Sequence, residues 1–370
     1  KRPTTLHRKG LRMAANDTLF SADKANMYDV LLTFPEQVRH AVSIGEEAPF
    51  FTDTPSSNEV HVLGLGGSAI GGDLARSYCA ATPGAGSLSI TVSRTYDIPG
   101  TVHAASSVIA SSYSGDTEET LSAFAQARKK TKNLLCITTG GQLAAQAARH
   151  SVPVIRIPAG FQPRCALGFS FFPLLMTVMK HPAVSKQARR RTDAAISEVV
   201  STLDRLSGMY AQPGPKNPAL RLAKRLHGTV PVIYSASERL DAVNVRWRGQ
   251  IQENAKNLAF GHVLPEMNHN EINGWAFPAN ARKDFSIVLL RDPADHARVA
   301  LRFDAVKRIL RKSAKEIHEV VGVGDSLLAR MFSTIYLGDW VSYYLAMLND
   351  VDPTPVPVIM TLKSALAAHK

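Results

Sequence analysis

The segment SYSGDTEET (residues 112–120) sets three hydroxyls, Ser112, Ser114 and Thr117, around one glycine. A helix starting here would expose unpaired N–H groups and the positive end of its dipole beside them. Hydroxyls and backbone donors together suit a phosphate monoester, whose terminal oxygens accept several hydrogen bonds. The competing reading is that Ser114 or Thr117 only caps the helix, but capping accounts for one hydroxyl and not three. Upstream, GLGGSAIGG (residues 64–72) is a second turn into a helix, with glycines that permit positive φ and close approach of an anion. Its letters Gly64-x-Gly66-x-x-Ala69 also fit the dinucleotide fingerprint. That fingerprint wants an acid about 20 residues on; none lies between Asp73 and Asp97, and Arg94 is the charge near that strand end. Arg94 could meet a 2′-phosphate, so an NADP-dependent Rossmann dehydrogenase stays open at this point.

Both turns need strands behind them. Short apolar runs at 60–65, 87–93, 107–111, 133–138 and 152–157 alternate with helical patterns at 69–80, 117–130 and 142–149. This alternation predicts an α/β fold with a mainly parallel sheet covered by helices on both faces. A helical lead-in covers 21–48, an apolar core helix 166–179, and a helix 187–206 leads to the connector AQPGPKNP (residues 211–218), whose prolines cannot continue it. The pattern then resumes with strands at 230–235, 286–290 and 319–323, a helix ending near Gln252 and a long helix at 327–348. The two halves look alike, which predicts a duplicated α/β domain. The expected division is a basic tail (1–20), an N-terminal domain (21–185), a helix and Pro-rich connector (186–218) and a C-terminal domain (219–370).

GGSA, SYSGDTEET, QPRCALG (162–168), QENAKN (252–257), LPEMNHNEINGW (264–275) and DPTPVPVIMTLKSAL (352–366) occur in that order. Together they resemble the bifunctional phosphoglucose/phosphomannose isomerase family of sugar isomerase (SIS) proteins. The resemblance implies two SIS subdomains, a homodimer, and interconversion of glucose 6-phosphate and mannose 6-phosphate with fructose 6-phosphate without a metal or other cofactor. By position, it implies that Gly67, Ser68, Ser112, Ser114 and Thr117 hold the phosphate. Glu253 would be the base, Arg164 would face the reacting carbons, and His269, reaching in from the neighbouring subunit, and Lys363 would assist ring opening. A small hydroxyl residue before the C-terminal lysine is linked to accepting the mannose epimer; Thr354 is the candidate, with Val356 at an equally plausible alignment.

The chemistry asks for such residues. A proton moved between adjacent carbons passes through an enediolate and needs one base facing both, a role for a desolvated carboxylate. Glu253, near the end of a predicted helix, competes with Glu266 and Glu271, and the residues alone do not rank the three. The enediolate needs a fixed cation; Arg164, between Pro163 and a buried apolar run, is either that cation or a structural ion pair. A histidine titrating near neutrality can shuttle the ring-opening proton, and His269 has Asn268 and Asn270 beside it in a loop. Lys363 would otherwise read as a solvated helix lysine.

The formal net charge of +12, from 43 Lys and Arg against 31 Asp and Glu in 370 residues, raises nucleic acid as a partner. Five of these charges fall within residues 1–12, expected to be a vector remnant or an upstream extension. The clusters at 129–132, 189–191 and 307–315 read as solvated helix faces, and no aromatic-interleaved basic stretch supports base stacking. The longest apolar run, 166–179, is shorter than the ~20 residues of a membrane span. Three widely spaced cysteines suit a reducing cytosol. His262, Glu266 and His269 are loosely spaced around Pro265, which argues against a zinc site. A non-catalytic SIS sensor that binds a sugar phosphate remains the second reading, although residues 1–60 lack a helix-turn-helix pattern.

Overall fold

The computed structural model describes residues 20–51 and 55–368; of the tail expected over residues 1–20, all but Phe20 lies outside the described residues. Two parallel sheets form the framework. The first is built from β1 (Glu59–Leu63), β2 (Ser89–Ser93), β3 (Ser107–Ser111), β4 (Leu134–Thr138) and β5 (Val154–Arg156), in the order β2-β1-β3-β4-β5. Its central strands are apolar on both faces because helices cover both, and β3 and β4 are buried along their whole length. The second contains β6 (Val230–Ala236), β7 (Phe260–Leu264), β8 (Phe285–Arg291) and β9 (Glu316–Val321), in the order β7-β6-β8-β9. Each sheet has a strand flanked on both sides by strands that follow it in the sequence, β1 in the first and β6 in the second, the place where α/β sheets open a crevice.

The helices are α1 (Met27–Leu32), α2 (Phe34–Glu47), α3 (Gly67–Ala80), α4 (Glu118–Ala127), α5 (Gly141–Arg149), α6 (Leu167–Met179), α7 (Lys186–Ala211), α8 (Pro218–Leu226), α9 (Asp241–Ala255), α10 (Glu271–Gly274), α11 (Ala297–Leu310), α12 (Leu327–Leu348) and α13 (Pro357–Ala367). Helices α4 and α5 cover one face of the first sheet over Val108, Ala110, Phe124 and Leu143. Helix α11 covers one face of the second over Ile287, Leu289 and Phe303. The opposite faces of both sheets share one continuous core with α2, α3, α6, α7, α9 and α12. Helices α6 and α12 are apolar nearly all round, as helices enclosed on every side must be.

Some elements depart from the sequence expectation. Strand β7 and helix α8 add to the expected list, and β9 begins at Glu316 where the pattern suggested 319. The helix expected at the basic cluster 307–315 is α11, which ends at Leu310, so that Arg311, Lys312 and Lys315 lie beyond it. Polar residues obscure that strand: Glu316 pairs with Arg225, and Glu319 with Arg291 and Lys307, so an edge strand carries charge where apolar alternation is sought. The cluster 129–132 follows α4 and does not lie on it. There the Thr131 hydroxyl donates to the carbonyls of Ala104 and Ser106 and closes a turn.

Helices α9 and α12 pack closely at Gly338, where a Cβ would stand 2.4 Å from the Trp247 ring. Gly338→Ala should therefore cost about 1–3 kcal/mol by overpacking, read as a lower urea midpoint with an unchanged slope.

Candidate active site

The two hydroxyl-bearing turns follow β1 and β3, neighbours in the first sheet, and so meet at its C-terminal edge. Ser68 Oγ accepts the N–H of Tyr113 at 3.1 Å and ties the turns together. Ser112 Oγ lies 3.0 Å from Thr117 Oγ1 and accepts the N–H of Gly115 at 3.1 Å. Thr117 stands at the N-cap of α4, yet its hydroxyl makes no capping bond and goes to Ser112 instead. Ser114 Oγ, exposed, accepts the N–H of Asp116. Gly115 has φ +78°, and a Cβ there would lie 2.0 Å from the carbonyl oxygen of Gly140, so only glycine fits this turn.

Arg94, which an NADP phosphate would require, is ion-paired with Asp73, itself half-held by Arg76. The dinucleotide reading thus loses its one basic contact to a structural pair.

A third segment closes over the turns. The Tyr113 hydroxyl donates to the carbonyl of Pro158 and accepts the N–H of Phe161, which steers the chain towards Arg164. Gly67 touches this segment so closely that a Cβ would lie 2.8 Å from the carbonyl oxygen of Pro163. Arg164 follows, only 5% exposed. Its Nε donates to Asn254 Oδ1 at 2.7 Å, and its Nη2 to the carbonyls of Pro353 (2.8 Å) and Thr354 (2.7 Å). Nη1 faces Glu253 Oε2 at 3.5 Å. With Nε and Nη2 occupied, Nη1 is the edge of the guanidinium left to meet a ligand.

Helix packing brings these parts together. Arg76 and Ser77, late in α3, bond Asp241 at the start of α9, whereas Gly67 at the start of α3 meets the segment that reaches Asn254 near the end of α9. The two helices are antiparallel. The C-terminal edge of the first sheet therefore faces the end of the second sheet where its strands begin.

The same topology separates the three acids. Glu253, half-exposed, stands beside Arg164 near the end of α9, before β7 begins. Glu266 and Glu271 follow the C-terminal end of β7, and Glu271 accepts the hydroxyl of Tyr234, whose own ionisation is pushed well up by burial. His269 is exposed in that same loop, its N–H bonded to the Glu266 carbonyl. The five residues of β7 put about 16 Å between the two ends of the sheet. No hydrogen bond or ion pair joins His269 to Arg164 or Glu253 in the chain. Lys363 is exposed on α13, which starts three residues after Thr354, and it too makes no bond to that pair. Among the described residues, no group of three His, Cys, Asp or Glu side chains is placed to hold a metal ion.

Residues not singled out from sequence complete the site. Asn254, fully buried, orients Arg164, and Lys256, in a left-handed C-cap, donates to the carbonyls of Glu253 and Pro353. Burial lowers the Lys256 ammonium's pKa, reinforced by Arg164. Their one sequence signal was adjacency to Glu253 within QENAKN; the partners at 353 and 354 lie about a hundred residues away.

Residues 215–366 match the family model described as the bacterial phospho-glucose isomerase C-terminal SIS domain. The chain is 42% identical to a bifunctional phosphoglucose/phosphomannose isomerase of Caldicellulosiruptor bescii, over 93% of this chain and 100% of that protein. It is 36% identical to the protein of the same name from Aquifex aeolicus, over 83% and 89%. Among solved structures, a hypothetical protein from Thermus thermophilus superposes with a TM-score of 0.69, covering 95% of this chain and 92% of the other at 16% identity, a likeness of fold.

Because Gly67 joins the first turn to the arginine segment, Gly67→Ala should push residues 163–164 outward. The expected result is about ten-fold weaker binding of a phosphate monoester by titration calorimetry, a loss of about 1.4 kcal/mol.

Proposed function

The chain belongs to the bifunctional phosphoglucose/phosphomannose isomerase family, and we propose that the site around Arg164, Glu253 and the two hydroxyl-bearing turns interconverts glucose 6-phosphate and mannose 6-phosphate with fructose 6-phosphate. The observation that carries this reading is the pairing of Arg164 Nη1 with Glu253 Oε2 beside two hydroxyl-lined turns. Gly67, Ser68, Ser112, Ser114 and Thr117 hold the phosphate at the N-termini of α3 and α4, where helix dipoles favour an anion. The Glu253 carboxylate removes the proton from C2 of the open-chain aldose. The electron pair left on C2 forms the enediolate, and Arg164 stabilises its charge. The Glu253 carboxylic acid returns the proton to C1, while a proton shifts from O2 to O1. Glucose and mannose 6-phosphate differ only at C2 and share this enediolate, so one base serves both when rotation about C2–C3 presents the other face of C2 to it.

Thr354 is our assignment for epimer acceptance over Val356, because Arg164 bonds the Thr354 carbonyl whereas Val356 is the N-cap of α13. Base and cation are both side chains, so the reaction is proposed to need no bound metal. His269 and Lys363 open the sugar ring. Because β7 holds His269 away from Glu253 of its own chain, the histidine serves a second copy in a homodimer. Exposed apolar side chains support that assembly: Phe277 (84%) near His269, and Val358 (81%) with Met360 and Leu362 on α13. Cys79, Cys136 and Cys165 are free and buried, in keeping with a reducing cytoplasm. The sensor reading has no separate observation in its favour.

Glu253→Gln should lower kcat by at least about 10³-fold and abolish exchange of the C2 proton with solvent, with sugar-phosphate binding kept and wild-type turnover unaffected by EDTA. Full activity in that variant would refute the assignment. Mixing inactive Glu253→Gln and His269→Ala chains should restore about a quarter of the wild-type activity, since half of randomly paired dimers carry one intact site. No recovery after subunit exchange would place His269 outside the partner's site.

A further inference from the structure

Helix α9 carries three buried polar side chains at positions i, i+4 and i+8: Arg246, Gln250 and Asn254. This spacing places them in one stripe, and the stripe faces α12. There Asp339, 3% exposed, accepts Arg246 Nη2 at 2.7 Å on one oxygen and Gln250 Nε2 at 2.9 Å on the other. One turn further on, Ser342 Oγ donates to the Asp339 carbonyl at 2.7 Å and accepts Asn254 Nδ2 at 3.0 Å. Both arms end on the same residue. Arg246 Nη2 also donates to the backbone carbonyl of Arg164 at 3.1 Å, and Asn254 Oδ1 accepts Arg164 Nε at 2.7 Å.

We propose that Asp339 and Ser342, one turn apart on α12, are positioning residues for the isomerisation: the Asp339 carboxylate through Arg246, and the Ser342 hydroxyl through Asn254, hold Arg164 at its backbone and at its guanidinium, so that Nη1 stays aimed beside Glu253. The inference rests on the functional reading above. Stability is a weak reason for such a pair, since a buried Arg–Asp pair replaced by apolar side chains of similar size often leaves a fold as stable or more so. Burial also pushes the Asp339 carboxyl upward against the pull of Arg246 and Gln250, a cost that apolar contacts in the same place would avoid. What apolar contacts could not supply is direction: a donor, Arg246 Nη2, and an acceptor, Asn254 Oδ1, set on Arg164 at its backbone and at its guanidinium.

The test uses the full chain with Arg246→Met and Asp339→Leu together, which leaves no unpaired charge, and separately Ser342→Ala, which cuts the second arm. The melting temperature reports folding, and initial rates with fructose 6-phosphate give kcat and KM. A displacement of the guanidinium by about 1 Å should lower kcat about 100-fold in the double variant, and about ten-fold in Ser342→Ala, with KM within about two-fold of wild type because the phosphate turns are untouched. Wild-type kcat in the folded double variant overturns the inference, as does a raised KM with kcat unchanged. Should the double variant fail to fold, Ser342→Ala decides alone. A wild-type chain without isomerisation, or Arg164→Ala with wild-type kcat, overturns the functional reading instead.

Discussion

One buried guanidinium joins the two halves of this molecule. Arg164 leaves the first sheet's side, bonds Asn254 near the end of α9, and holds the carbonyls of Pro353 and Thr354 in the turn before α13. A charge removed from water must be matched by hydrogen bonds or it destabilises the fold. Those bonds join three segments about ninety and a hundred residues apart in sequence, that of Arg164 and those of Asn254 and Pro353–Thr354, so the arginine settles into place only when all three have. The arrangement that makes burial tolerable also leaves one edge of the guanidinium directed at Glu253.

The rest of the architecture serves that junction. Parallel sheets gather their strand ends, and the switch at β1 puts the two phosphate-type turns side by side. The second sheet is built the same way but presents its opposite end, because α9 lies antiparallel to α3. Its own strand-end loops, which carry Glu266, His269 and Glu271, are directed elsewhere. A duplicated fold thus uses its two halves differently: one supplies backbone donors and hydroxyls, the other the far end of a helix with a carboxylate and an amide.

Much of the fold was legible in the residues. The strands within 107–111 and 133–138 have apolar centres and are buried along their length because both faces are covered, and the long helix at 327–348 was marked by its wealth of Tyr, Trp and Leu. Where charge sits on an edge, as in Glu316–Val321, the pattern failed, since ion pairs with Arg225, Arg291 and Lys307 replace apolar alternation. Thr117 was open between cap and ligand; its hydroxyl is turned to Ser112 within the same turn.

The sequence by itself determined the local pieces: hydroxyl-bearing turns at helix starts, strands with helices between them, and an arginine set too deep in apolar company to be solvated. These depend on neighbours a few residues away, where side-chain type and backbone preference act directly. Tertiary structure alone decided which carboxylate shares a site with that arginine. Glu253, Glu266 and Glu271 lie within nineteen residues of one another, yet β7 is extended and rigid, and it carries two of them to the far end of the sheet. Position across a strand is a property of packing and strand direction, which no short stretch of chain encodes.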